Sequence, residues 1–245
     1  MRRIKKGAPP PKLTSFVAGK PHALWREIKR NKSRYTEIRE FLFRDQQSLC
    51  AYCEIRMIID EDGADRSDFR VEHFIPKKPH NPPPNHAATW SNMLGCCHGG
   101  ASKAVAVQGR FTAPDLSCDA IKGNKNLLGV IINPLSDISD DDFIFGFLSD
   151  GSISVSDDCP GHLVDRAGRT IVELGLDAAR LRKLRRAAVE ATLEAIETLM
   201  GEGLELAAAC EVAFPDNSPP EFYSCIKSVL GSAAEPRLQQ LNYYN

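Results

Sequence analysis

A chain of 245 residues is long for one small domain and short for two full ones. Its 42% apolar and 26% charged residues exclude global disorder, while a net charge of −1 leaves nucleic-acid binding undecided. The charge is unevenly spread: up to position 34, Arg2, Arg3, Lys5, Lys6, Lys12, Lys20, Arg26, Lys29, Arg30, Lys32 and Arg34 face Glu27 alone.

Such a run either attracts phosphates or is a solvated tail. No stretch approaches the roughly 20 apolar residues that span a bilayer. The N-terminal MRRIKKGAPPPK has no apolar core behind its charges, so it does not read as a secretory signal. A cytoplasmic protein is therefore expected. Its 8 cysteines then serve as metal ligands or free thiols before disulfides.

Residues 1–32 read as a basic extension with Trp25 as its anchor. Over 33–48, Tyr35, Ile38, Phe41 and Leu42 share one side at helical spacing, with Ser33 as the cap. A knuckle follows at Cys50-Ala51-Tyr52-Cys53, then a predicted strand from Glu54 to Ile59 and a turn over EDGADRSD. A second short strand, Phe69 to Ile75, stops at Pro76, which cannot donate to a ladder. The run KKPHNPPPNH predicts a stiff loop. Trp90-Ser91-Asn92-Met93-Leu94 then leads into Cys96, Cys97 and His98. Residues 99–117 read as an insertion before a short helix from Cys118, ended by Gly123.

Phe143, Phe145 and Phe147 alternate, a Ser-Asp-Gly-Ser turn follows, and Ile153 and Val155 alternate again, which is a hairpin pattern whose phenylalanines form a packed face. Asp177 is placed to cap a long helix to about Met200, and another helix is expected at 220–230. On that long helix the Arg180–Arg186 cluster reads as a solvated face. The fold class is α+β. Its parts are a basic extension (1–32), a catalytic core with a zinc site (33–135), and a hairpin with a mainly helical region (136–245).

The chemistry lies in the core. Two residues between Cys50 and Cys53 let both thiolates reach one ion, giving half of a tetrahedral shell. The other half comes from among Cys96, Cys97, His98 and Cys118. The order of residue types (Asn92, then Cys97, then Cys118-Asp119) favours a structural zinc ion on Cys50, Cys53, Cys97 and Cys118. Cys96 or His98 remains an alternative ligand. Cys159, Cys210 and Cys225 read as core residues. Between the two halves stands Glu72-His73, an acid directly before a histidine on a short strand.

The succession CAYCE, VEHFIPK, WSNMLGCC, CDAIKGN and INPL, continued by FIFGFLSDGSI and AGRTIVELGLDAARLRKLRR, resembles the PtuB-type HNH endonucleases of Septu and retron-associated anti-phage systems. The resemblance implies a ββα-metal core in which His73 deprotonates the attacking water. It implies a divalent ion, Mg²⁺ or Mn²⁺, on Glu72 and Asp119, with Asn92 bracing the loop that positions His73. Lys122 from the helix, and Lys77 and Lys78 beside the strand, are the expected phosphate contacts. Two positions depart from the general HNH pattern. Asp119 stands where a histidine or asparagine is usual, and Glu72 where an aspartate is common.

Implied partners are nucleic acid, with DNA favoured over RNA such as tRNA, and a PtuA-like SMC- or ABC-type ATPase. In a retron setting a reverse transcriptase with its non-coding RNA and msDNA joins them. The chain has no GxxxxGK[ST] with which to supply a P-loop itself. A non-catalytic zinc module that binds nucleic acid or protein would keep the cysteines but have no need of Glu72, His73 and Asp119 together.

Overall fold

The computed structural model describes residues 1–59, 67–78, 84–102, 115–140 and 142–241. Most of the expected turn at 61–68, much of the proline-rich loop and most of the 99–117 insertion lie outside the described residues. So does His80.

The first helix, α1 (Pro11–Gly19), begins on a proline, which the first turn tolerates because its missing N–H has no partner there. Next come α2 (Trp25–Arg30) and α3 (Lys32–Asp45). Asn31, not Ser33, caps α3: its Oδ1 accepts from the Arg34 amide at 2.9 Å. Ile38 and Leu42 form the fully buried stripe of α3, as their spacing predicts. Arg34 is also buried, because its guanidinium donates to the carbonyls of Ile28 and Glu27 that α2 leaves open at its end.

The N-terminal run is not a solvated tail. Met1, Ile4 and Leu13 are buried in the main core, and the Ile4 amide donates to the Pro134 carbonyl at 2.8 Å. Arg2 bonds the Gln46 carbonyl and the Gln47 side chain. Lys6 bonds the carbonyls of Trp90 and Met93, with its ammonium 3.4 Å from the Trp90 ring centroid.

Two short strands form the central sheet. Antiparallel β1 (Arg70–His73) and β2 (Met93–Cys96) place Glu72 opposite Leu94 and His73 opposite Met93. The strand expected over Glu54–Ile59 does not form; isolated bridges join Leu49 to Arg56 and Ile58 to Asp68. Two features divert the segment. Glu54 has φ +63°, and its buried carboxylate takes Ser224 and the Met1 amine. Arg56 meanwhile reaches Glu221, Ser48 and the Pro219 carbonyl. The one-turn helix α4 (Asp119–Lys122) completes a ββα unit and ends on Gly123, at φ +54°.

Downstream, β3 (Phe145–Phe147) and β4 (Ile153–Val155) form the expected hairpin, and Phe145 and Phe147 pack on the core. Helix α5 (Val164–Glu173), not expected above although Leu163, Ala167, Thr170 and Leu174 bury one side at helical spacing, precedes α6 (Ala179–Gly201). Asp177 does not cap α6. Its carboxylate accepts instead from the Ile153 amide and Arg182, tying hairpin to helix. The arginine cluster on α6 is only partly a solvated face. Arg180 and Arg185 are buried, bonded to Ser117 and to the Leu176 and Leu181 carbonyls. Helices α7 (Leu206–Ala209), α8 (Tyr223–Leu230) and α9 (Glu235–Gln240) surround a second small cluster around Phe214, Tyr223 and Ile226. Cys159, Cys210 and Cys225 are buried, as core residues should be. Among the described residues no helix is long and apolar enough to cross a membrane.

One contact fastens knuckle to sheet. Buried Gln46 donates to the Leu49 and Gly95 carbonyls and accepts from the Gly95 amide, while the Ala51 amide also reaches the Gly95 carbonyl. A Cβ on Gly95 would stand 2.9 Å from Phe69 and 3.1 Å from Met57. Gly95→Ala is therefore expected to cost about 1–3 kcal/mol by overpacking. A drop of several degrees in the melting temperature checks it; an unchanged value would count against this packing.

Candidate active site and metal centre

The four predicted thiols converge. Cys50 and Cys53 come from the knuckle, Cys97 from the residue after β2, and Cys118 from the residue before α4, and their sulfurs all lie within 4.8 Å of one another. The separations are 4.0 Å for Cys50–Cys118, 3.7 Å for Cys53–Cys97 and 3.9 Å for Cys97–Cys118. A zinc ion with Zn–S bonds of about 2.3 Å needs sulfurs about 3.8 Å apart. Disulfides are excluded at these separations, and all eight cysteines are free. The four thiols titrate as one set: the thiols around it hold Cys50 well below the usual range, while the same neighbours push Cys97 and Cys118 up, so it is the spacing of the sulfurs that speaks for a metal. The donor set therefore fits zinc. Cys96 and His98 are not in the quartet; the His98 amide donates to Asp68 instead.

The centre is held by local backbone. The Cys50 amide donates to the Ile55 carbonyl and the Glu54 amide to the Cys50 carbonyl, closing the knuckle. Cys118 sits at φ +55°, sparsely populated for a residue with a side chain, and its amide is fixed by the Leu174 carbonyl at 2.7 Å.

Beside it, β1 turns Glu72 and His73 to opposite faces. The His73 ring is buried, its Nε2 lies 3.3 Å from the Ala87 carbonyl, and its Nδ1 is buried without a hydrogen-bond partner. Trp25 packs edge to face on it, with ring centroids 4.7 Å apart. Burial, helped by nearby Lys77, pushes His73 down to about 3, so the imidazole is neutral. The ring is thus held at one nitrogen, while the other is buried without a partner.

On the opposite face Glu72 is buried against Asp119. Burial first, and the facing Asp119 second, push the Glu72 carboxyl up to about 8, although Lys122 opposes this. Lys122 Nζ stands 2.6 Å from Glu72 Oε1 without the alignment of a hydrogen bond, and 3.2 Å from the His73 carbonyl. Lys122 is 1% exposed, so the residue expected on a phosphate is turned inward as counter-ion to the carboxylates. Arg70 pairs with Asp119 at 3.0 Å. Two facing hard carboxylates are a donor set that fits a divalent cation such as Mg²⁺ or Mn²⁺, in place of the Lys122 and Arg70 cations that now neutralise them.

Asn92 lies where a brace should. Its Oδ1 accepts from the Ile75 amide at 2.7 Å, and its Nδ2 donates to the carbonyls of Ile75 and His86. Both ends of the loop after His73 are thereby tied to one buried side chain. Asn92→Asp removes two donors and faces a carboxylate with two carbonyls. The expected cost is about 3 kcal/mol or more. Thermal unfolding reads it, and a melting temperature within about 2 °C of wild type would contradict the role.

Lys77 is partly exposed and Lys78 exposed, both beside His73 at the mouth of a cavity. Two neighbours escape sequence reasoning. Arg70 was signalled weakly, since residues two apart on a strand share a face and Glu72 follows it. Trp25 lies 48 positions before His73, and no local pattern joins them.

No family model matches the chain. It is similar, at 33% identity over 149 residues, to the Escherichia coli protein named "Retron Ec83 putative HNH endonuclease". The aligned part is 56% of this chain and 55% of that protein, so the chain spans about half the length of the curated relative it matches. That likeness supports a nuclease enzyme of the HNH kind. The mixed helices and small sheets fit it, as do the four clustered cysteines.

Proposed function

We propose that the chain is a metal-dependent HNH endonuclease that hydrolyses phosphodiester bonds, with DNA the favoured backbone. The observation that carries this reading is one arrangement. A neutral His73, held through Nε2 and without a partner at its buried Nδ1, directly follows Glu72 of the buried Glu72–Asp119 pair on a strand whose sheet is joined to a four-sulfur centre.

In this reading His73 takes the proton of the attacking water through Nδ1 while the Ala87 carbonyl fixes the tautomer at Nε2. Glu72 and Asp119 would hold the divalent ion, which when bound neutralises charge developing on the phosphate and the leaving 3′-oxygen. Lys77 and Lys78 position the strand by its phosphates. Water adds to phosphorus, the bond to the 3′-oxygen breaks, and the products are a 5′-phosphate and a 3′-hydroxyl. No step uses a 2′-hydroxyl, so RNA is chemically competent too.

On the resemblance of its sequence we place this activity in a retron-associated or Septu-type defence complex of the PtuB kind, beside a PtuA-like ATPase that gates it; the name of the Escherichia coli relative supports the retron setting alone. In a retron complex the reverse transcriptase and its RNA–DNA product complete the set. The deciding experiment is cleavage by the chain reconstituted with that ATPase, on duplex DNA, single strands and a tRNA pool. Cuts ending in 5′-phosphate support the proposal; intact nucleic acid in every arm with zinc and Mg²⁺ or Mn²⁺ present would refute it.

The same geometry sets a pH dependence. The raised Glu72 carboxyl keeps its proton up to about 8, and a metal must displace it. At limiting Mg²⁺ the cleavage rate is expected to fall about tenfold per pH unit below that value, and excess metal restores it. A fall that excess metal does not restore would point to another titrating group.

A further inference from the structure

The cavity bordering His73 carries an assignment of its own. It measures about 610 Å³, within the roughly 300–1,000 Å³ range of small-ligand sites. Leu24, Trp25 and Pro76 supply its apolar surface, Arg26, Lys77 and Lys78 its charge, and the described lining residues include no carboxylate. Trp25 lines this cavity and also packs on His73, so a single side chain separates the cavity from the proposed base. Arg26 and Lys78 are exposed at its border.

An apolar aromatic wall ringed by three cations and the neutral Asn124 is complementary to a flat, apolar-faced group carried between anions. A nucleobase with its flanking phosphates has that form. A base inside a duplex hides both faces in the stack, so only an unpaired or extruded nucleotide can present one to Trp25. We propose that this cavity receives a single unpaired nucleotide of the substrate strand next to the scissile phosphate, its base against Trp25 and its phosphates on Arg26, Lys77 and Lys78. The substrate class is thereby narrowed to nucleic acid unpaired at the cut: a single strand, a bulge or a loop. This rests on the nuclease reading, which supplies the strand that passes His73.

The test uses the full chain as His73→Ala, so that nucleic acid persists, with oligonucleotides carrying one 2-aminopurine. Three forms are compared: a single strand, a duplex with the label bulged out, and the same duplex fully paired. The unpaired forms are expected to bind about tenfold tighter than the paired duplex and to quench on binding, since a base–aromatic stack is worth roughly 5- to 150-fold in affinity. Trp25→Ala should abolish the difference. Because Trp25 also supports His73, a second variant fills the cavity from its exposed rim: Asn124→Trp should abolish the difference too, with zinc content and melting temperature unchanged. Equal affinity for all three forms, or a difference that survives both variants, would overturn the assignment. Wild-type cleavage keeps the two readings apart. Cutting without preference for unpaired sites sinks the nucleotide cavity alone, whereas selective binding by a chain that never cuts sinks the nuclease and leaves the cavity.

Discussion

Replacing His73 by alanine is expected to lower cleavage by about 10²–10⁴-fold while the protein stays folded and keeps its metal centre. The magnitude is that of losing a general base, since the carboxylates that would hold the divalent ion remain. Folding is spared for a specific reason. His73 is neutral and makes one hydrogen bond, so truncation strips no ion pair and leaves only a cavity beside Trp25. The cost is therefore expected to stay near 1–3 kcal/mol. Single-turnover cleavage at saturating Mg²⁺, with zinc measured on the same sample, separates chemistry from stability. A variant that cuts within threefold of wild type would remove His73 from the mechanism. Lys77 should matter less, because losing one exposed phosphate contact weakens binding without deleting a step.

Loss of the zinc ligands should be more drastic still. Cys50, Cys53, Cys97 and Cys118 join the knuckle, the end of β2 and the start of α4, pieces brought together from three separate stretches of chain. Structural zinc contributes about 10–16 kcal/mol in small zinc modules, more than a typical domain's whole stability. Cys50→Ser or Cys97→Ser is thus expected to yield protein without zinc that is unfolded, or that melts well below wild type. Native mass spectrometry should find one zinc per wild-type chain. Cys96→Ser is the informative control, since Cys96 is buried but outside the quartet and its replacement should leave the zinc in place. Zinc lost from Cys96→Ser and kept in Cys97→Ser would reverse the ligand assignment.

What could be read beforehand followed locality. The Cys-x-x-Cys knuckle, the short strand bearing Glu72 and His73, the hairpin and the helix to about Met200 are patterns within a few residues, and each appears. The choice of Cys97 over Cys96 was not local. Adjacent cysteines near a strand end point to opposite sides, and only the register against β1 decides which one meets the knuckle. Lys122 looked like a surface cation because a four-residue helix has no periodicity to betray a buried side. Its partner, Glu72, is 50 positions earlier. The N-terminal run misled for a similar reason: its charges dominate composition, while Met1, Ile4 and Leu13, too widely spaced to make a stripe, decide its fate. Asp177 satisfied a capping rule and was instead recruited by β4 and Arg182.

The separation of Cys97 from Cys118 has a bearing on how such a protein can diversify. The 20 residues between these two ligands leave and return at fixed points. The Ser117 amide bonds the Gly99 carbonyl, and Asp115 and Ser117 are both held by Arg180. Between two fixed ends, doubling the length of a chain segment raises its closure cost by only about 0.6 kcal/mol. A change of length between these two ligands is therefore expected to cost little stability so long as the four thiols and the Arg180 contacts remain.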